Sequence, residues 1–234
     1  MKILGLDSSG LVASVAVVED DNLCAEYTVN FKKTHSQTLL PMLDVIADMI
    51  QLDLNTVDGI AVAAGPGSFT GLRIGSATAK GLGLALKKPL VAVPTLDALA
   101  YNLYDASGVV CPIMDARRNQ VYTGIYEYVD HQLQNVRSSD ALDVHQLIQE
   151  LNQMNREVIF LGDGVGVYRD VLDAELTVPR SYAPAHCNKQ RASAVAALGL
   201  VYMKEENIVS AADFQPDYLR KSQAEREREE REKA

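Results

Sequence analysis

Residues 63–75, AAGPGSFTGLRIG, constrain the fold more than any other stretch of this chain. Gly65, Gly67 and Gly71 surround a proline between a short apolar run at 58–63 and a longer segment of helical character. Glycines at such a junction permit positive φ and close backbone approach, and the start of a helix offers unpaired N–H groups to an anion. The spacing is not that of a P-loop, because no Gly-Lys-Ser/Thr follows, and it is not a dinucleotide fingerprint. On local chemistry alone the plainer alternative, a tight strand-to-helix turn, is favoured.

The helix expected over 71–86 carries two rows of small residues at four-residue spacing. Gly71, Gly75, Ala79 and Gly83 form one, and Ala77, Gly81 and Ala85 the other. A glycine inside a helix costs about 0.5–1 kcal/mol relative to alanine, so Gly75, Gly81 and Gly83 require a packing reason. Small residues at i, i+4 let another backbone come close. Two rows facing two directions imply neighbours on both sides. A second helix, expected over 37–51 and capped by Thr34 or Ser36, has Leu39, Leu40, Met42, Leu43, Val45, Ile46, Met49 and Ile50 over more than half of its circumference. A surface helix needs an apolar stripe only a little over ~100° wide. The excess implies full burial or a face that meets a partner, and the partner face is the expectation here.

Around these helices the pattern of runs predicts an α/β chain. Strands are expected at 2–7, 12–18, 23–29, 58–63 and 90–93, with a helix at 95–104. The same syntax restarts with strands at 109–115, 120–128, 132–137 and 158–161, and helices at 143–153, 165–173 and 191–206. This predicts two related subdomains, 1–104 and 105–220, followed by a charged tail at 221–234 with little to bury.

The formal net charge of −9 over 234 residues shows no clustered basic patch, so if a nucleic acid is involved another protein holds it. No apolar run approaches the ~20 residues of a membrane helix. The start MKILGLDSSG is not a secretory pattern, and Cys24, Cys111 and Cys187 are well separated, which points to a reducing cytoplasm. No metal-ligand spacing is present. His35, His131, His145 and His186 are scattered.

GLDSS at 5–9, THSQTLLPMLDVI at 34–46, the glycine segment, VAVPTLDALA at 91–100, MDARRNQVY at 114–122 and PDYLRKSQAERE at 216–227 together resemble the bacterial TsaB family, also called YeaZ, through nearly the whole chain. The resemblance implies two actin/Hsp70-like (ribonuclease H-like) subdomains, each a mixed sheet flanked by helices, in a cytosolic protein. It implies a paralogous TsaD-type enzyme as partner, a TsaE-type ATPase in a larger complex, and a homodimer when alone. Together these serve threonylcarbamoyl transfer to the adenosine beside the anticodon of tRNAs reading codons that begin with A. This chain would then act as a scaffold, with tRNA reached only through the complex. Its partner interface would comprise His35, Leu39, Met42, Leu43, Ile46, Met49 and Ile50 on the first helix, and Arg73, Gly75, Ser76, Ala79 and Gly83 on the second.

The catalytic paralogue of that family carries a His-x-x-x-His metal pair, and the corresponding positions here are Thr95 and Leu99, which are poor ligands. The resemblance therefore implies a pseudo-enzyme without a metal. Asp7 stands where actin-like ATPases place a carboxylate, and Gly162-Asp163-Gly164 where they place adenosine-binding glycines. With Gly65 and Gly67 these mark a vestigial nucleotide site. The expectation is no intrinsic cofactor, with any nucleotide shared at the partner interface. Asp97, Asp115, Arg117 and Arg118 are expected to face the cleft as an ion-paired network or a partner contact. The alternative is a small-molecule kinase or ATPase of the same superfamily, and a metal peptidase is a third reading.

Overall fold

The computed structural model describes residues 1–31 and 35–219; Thr34, one of the two expected helix caps, and the charged tail at 221–234 lie outside them. The chain forms two five-stranded sheets of one design. In the first, β1 (Lys2–Asp7), β2 (Val12–Glu19) and β3 (Asn22–Asn30) make an antiparallel meander, and β4 (Gly59–Gly65) and β5 (Leu90–Pro94) add in parallel, giving the order β3-β2-β1-β4-β5. In the second, β6 (Val109–Asp115), β7 (Gln120–Val129) and β8 (Gln132–Asp143) repeat the meander. There β9 (Val158–Leu161) and β10 (Arg180–Tyr182) add in parallel, in the order β10-β9-β6-β7-β8. The repeat expected from the order of runs is therefore present strand for strand. Only β10 has no counterpart among the expected strands, since three residues, Arg-Ser-Tyr, carry no apolar run to read.

The helix α1 (Leu39–Met49) has Pro41 in its first turn, where the missing N–H leaves no helical bond unmade. Its apolar circumference divides in two. Leu39, Met42, Leu43 and Ile46 are buried with Leu4, Val15, Val62 and Phe214 in the core of the first body. Expected at the partner interface, these four are instead turned toward the sheet, because α1 lies on β2 and β3. What α1 leaves in solvent is Leu40, Val45 and Met49, the last 81% exposed.

The next helix, α2 (Phe69–Leu86), divides in the same way. Gly71, Gly75, Ser76, Ala79 and Gly83 are buried, so this row, most of it expected at the partner interface, faces the chain's own core. A Cβ on Gly75 would stand 2.6 Å from Ser8 Oγ, and one on Gly83 2.9 Å from the Ala211 Cβ. On the other side Arg73, Ala77, Gly81 and Ala85 are exposed, and a Cβ on Gly81 would meet nothing within 4 Å.

The division at residue 105 is corrected at the C-terminal end. α6 (Ala192–Lys204) follows α4 (Val144–Met154) and α5 (Gly164–Glu175), yet it packs on β1, β2, β4 and β5, with Val195, Ala196 and Leu198 in one cluster with Ile3, Ala61 and Val91. After it, residues 205–219 run as a strap along the first body. Val209 pairs with Leu90, Lys80 Nζ donates to the carbonyls of Ala212 and Phe214 (2.9 and 3.0 Å), and the Asp217 N–H donates to the Ala64 carbonyl (2.7 Å). The first body thus includes 192–219. Between the bodies, α3 (Thr95–Tyr101) buries Leu96, Leu99 and Ala100 against Val110, Met114, Tyr126 and Leu161.

Candidate functional site

Two surfaces emerge: the cleft between the bodies, and the outer face of α1 and α2. The cleft is a cavity of about 630 Å³. One wall is built by the β1–β2 turn, His35, the start of α2 and the strap; the other by Met114–Arg117, Tyr122, Asp163 and Val167.

Asp7 closes β1, just before the turn that lines the first wall, and is 1% exposed. Its Oδ1 accepts from the Ser9 N–H (2.8 Å) and from Ser9 Oγ (2.7 Å), and its Oδ2 has no partner among the described residues. Burial pushes this carboxyl up from 3.8 to about 6; the Ser9 bonds and nearby His35 oppose the rise. The folded chain therefore holds, between about pH 4 and 6, a proton that the unfolded chain has released. Stability from this group falls as pH rises through that window, and the loss is complete above it. The Asp7→Asn substitution keeps an oxygen for Ser9 and removes the charge. It is expected to raise the unfolding free energy at pH 7 by about 2–3 kcal/mol while leaving that at pH 4 little changed, as urea denaturation at the two pH values would read.

His35, expected at the partner interface, is held inward instead, its Nε2 2.8 Å from the Gly10 carbonyl. The two expected glycine features sit on opposite walls. Gly65 adopts φ 128°, and a side chain there would collide with the Asp217 carbonyl of the strap. A side chain on Gly67 would collide with the Ser9 carbonyl, which also accepts from the Ser68 N–H (2.6 Å). Ser68 Oγ caps α2 by accepting from the Gly71 N–H at 3.3 Å. Two donors at this turn, the Ser68 and Gly71 N–H groups, are thus already paired within the chain. Across the cleft Gly162, at φ 101°, and Gly164 fit closely against the Ile113 carbonyl. Between them Asp163 faces the cleft and accepts from the Asp115 N–H (3.3 Å); burial raises its carboxyl above the ordinary range.

Arg117 lines the cleft with its guanidinium 3.8 Å from Asp115. With Arg118 and Asn119 it forms three successive left-handed residues, φ 66°, 57° and 59°. That turn was not legible in the sequence, since only asparagine among the three favours such a backbone. Asp97 does not face the cleft. Its carboxylate accepts from Tyr126 Oη (2.8 Å) on β7 and from Tyr202 Oη (3.1 Å) on α6, which ties α3 to both bodies. Thr95 and Leu99 are buried; Leu99 belongs to the seam between the bodies. Among the described residues no group of three or more His, Cys, Asp or Glu is placed to hold a metal ion.

The second surface is the side of α1 and α2 turned away from the sheet. Leu40, Val45 and Met49 of α1 lie exposed there, as do Ala77, Gly81, Leu84 and Ala85 of α2. Of the residues expected at the interface, only Met49 and Arg73 are exposed, with His35 and Ile50 half-buried. Phe69 and Tyr218, which meet where this face joins the cleft (ring centroids 4.5 Å apart), were missed, because no local pattern links residues so distant in sequence.

The family model TsaD, described as tRNA N6-adenosine threonylcarbamoyltransferase, matches residues 23–228. The tRNA threonylcarbamoyladenosine biosynthesis protein TsaB of Bacillus subtilis (strain 168) is 34% identical to this chain over 225 residues, 96% of each. The solved structure of YeaZ from Pseudomonas aeruginosa superposes with a TM-score of 0.77 at 26% identity, covering 93% of this chain and 99% of that one. The Acidaminococcus fermentans (R)-2-hydroxyglutaryl-CoA dehydratase component A shares the fold alone, with a TM-score of 0.50 at 10% identity over 88% of this chain and 99% of that one. With its two actin-like bodies and near full-length alignment, this chain belongs to the TsaB (YeaZ) family within the reach of the TsaD model.

Proposed function

We propose that this chain serves threonylcarbamoyladenosine synthesis on tRNA as the non-catalytic scaffold of a TsaD-type enzyme, which it binds through the outer face of α1 and α2. The reaction served is threonylcarbamoyl transfer to the adenosine beside the anticodon of tRNAs reading codons that begin with A. The observation that carries this reading is the open row Ala77–Gly81–Ala85. A mid-helix glycine with nothing near it in its own fold sacrifices helix stability for no internal packing gain. It is explained when another helix comes to lie on that row. Exposed Leu40, Val45 and Met49 of α1 would add apolar area and an adaptable thioether.

Three features support the non-catalytic part. The Ser68 and Gly71 N–H groups of the glycine turn are paired within the chain, the positions of the paralogue's histidines hold a buried threonine and leucine, and the net charge of −9 disfavours unaided tRNA binding. Nucleotide in this reading is held jointly with the partner, and a TsaE-type ATPase joins the pair. The same face closes a homodimer when the partner is absent. Buried Asp7 and the Gly162-Asp163-Gly164 turn favour a kinase or ATPase instead, and that reading predicts ATP binding and substrate-stimulated ADP release by the isolated chain.

Co-expression with the TsaD-type paralogue and size-exclusion chromatography tests the proposal. A one-to-one complex at micromolar concentration is expected. Separate elution, with and without nucleotide and the TsaE-type ATPase, sinks it.

A further inference from the structure

Arg73 stands at the head of the open row, one helical turn before Ala77, so Arg73, Ala77, Gly81 and Ala85 lie along one line of α2. Its guanidinium lies 4.1 Å from the centroid of the Phe69 ring, and Phe69 in turn packs on Tyr218 of the strap. Arg117, Arg137, Arg156, Arg169, Arg180 and Arg191 each have a carboxylate within ion-pair distance. Arg73 has none among the described residues. Arg118 also has none, but it sits on a turn with no aromatic ring beneath it. Arg73 is therefore a cation stacked on an aromatic ring whose donor fork is unused among the described residues, which is the arrangement suited to two-pronged recognition of a carboxylate.

Resting on the scaffold reading, we infer that Arg73 is the specificity-determining cation of the α1–α2 face and that the TsaD-type partner presents a carboxylate to it. A helix seated on Ala77–Gly81–Ala85 passes close to Arg73 and takes part of its guanidinium out of water. A guanidinium so covered demands an acid, because an unpaired buried charge is heavily penalised. Neutral or basic side chains at that place would be rejected, so Arg73 discriminates among helices that the small-residue row alone would accept. The strap enters the recognition indirectly: Tyr218 braces Phe69, and Phe69 holds Arg73.

The test is titration calorimetry of the wild-type chain, Arg73→Met, Arg73→Lys, Arg73→Glu and Gly81→Leu against the TsaD-type partner, at low and high salt, with thermal unfolding of each variant as a folding control. The Arg73→Met variant keeps the side-chain stem and drops the charge. It is expected to weaken binding by about 30-fold or more and to flatten the salt dependence. The Arg73→Glu variant is expected to lose more, and Arg73→Lys to fall between Arg73→Met and wild type. The inference is overturned if Arg73→Glu binds within about threefold of wild type while Gly81→Leu abolishes binding, an outcome that leaves the scaffold reading standing. Failure of the wild-type chain to bind would overturn both.

Discussion

Replacing Gly81 by leucine is expected to stabilise the isolated chain by about 0.5–1 kcal/mol, since a good helix former takes the place of glycine in open solvent. A side chain built there meets nothing within 4 Å, so no internal clash offsets the gain. In the assembly the sign reverses. A leucine on the line Arg73–Ala77–Gly81–Ala85 holds the opposing helix away by the width of its side chain and leaves the rest of the interface unpacked. Affinity for the TsaD-type partner is expected to fall on the order of 100-fold, by calorimetry or by loss of the co-eluting peak. A more stable protein that no longer assembles is a combination that a purely structural role for Gly81 does not produce.

Gly71 makes the opposite prediction on the same helix. It lies in the inward row, and a Cβ there would run into the Ser8 carbonyl, a backbone atom that cannot swing aside. The Gly71→Ala substitution is expected to destabilise the folded chain by about 1–3 kcal/mol despite alanine's higher helix propensity, because overpacking against backbone outweighs it. Denaturant unfolding checks this. Together the two variants separate the rows, one bearing on the chain's own fold and the other on its partner.

The extent to which the fold was legible follows from where its information lies. The strands and helices are local patterns, and their order alone foretold the repeated design of the two sheets. Facing is not local. Leu39, Met42, Leu43 and Ile46 belong to an apolar arc too wide to have one buried side, and periodicity does not say which part of the arc meets the sheet. The sheet takes those four and leaves Leu40, Val45 and Met49 outside. The two small-residue rows of α2 were read as facing two ways, which holds; the row richer in glycine is the inward one, because β4 and the Ser8 backbone come closest there. The return of α6 to the first sheet is a tertiary choice with no signal in its apolar, small-residue sequence. The site behaved alike. Residues 65–67 read locally as a tight strand-to-helix turn, but which backbone packs against their glycines, the Asp217 carbonyl of the strap and the Ser9 carbonyl, is set by the fold.

The central claim is that this chain enables a reaction it does not perform. Reconstituted threonylcarbamoyl transfer to tRNA, with the TsaD-type enzyme and TsaE-type ATPase present and this chain omitted and then restored, tests it most directly. Modified tRNA is expected to form only when the chain is restored. The Asp7→Asn variant should restore it as well as wild type, and Gly81→Leu should not. Full modification without the chain, or loss of modification in Asp7→Asn with assembly intact, would contradict the account.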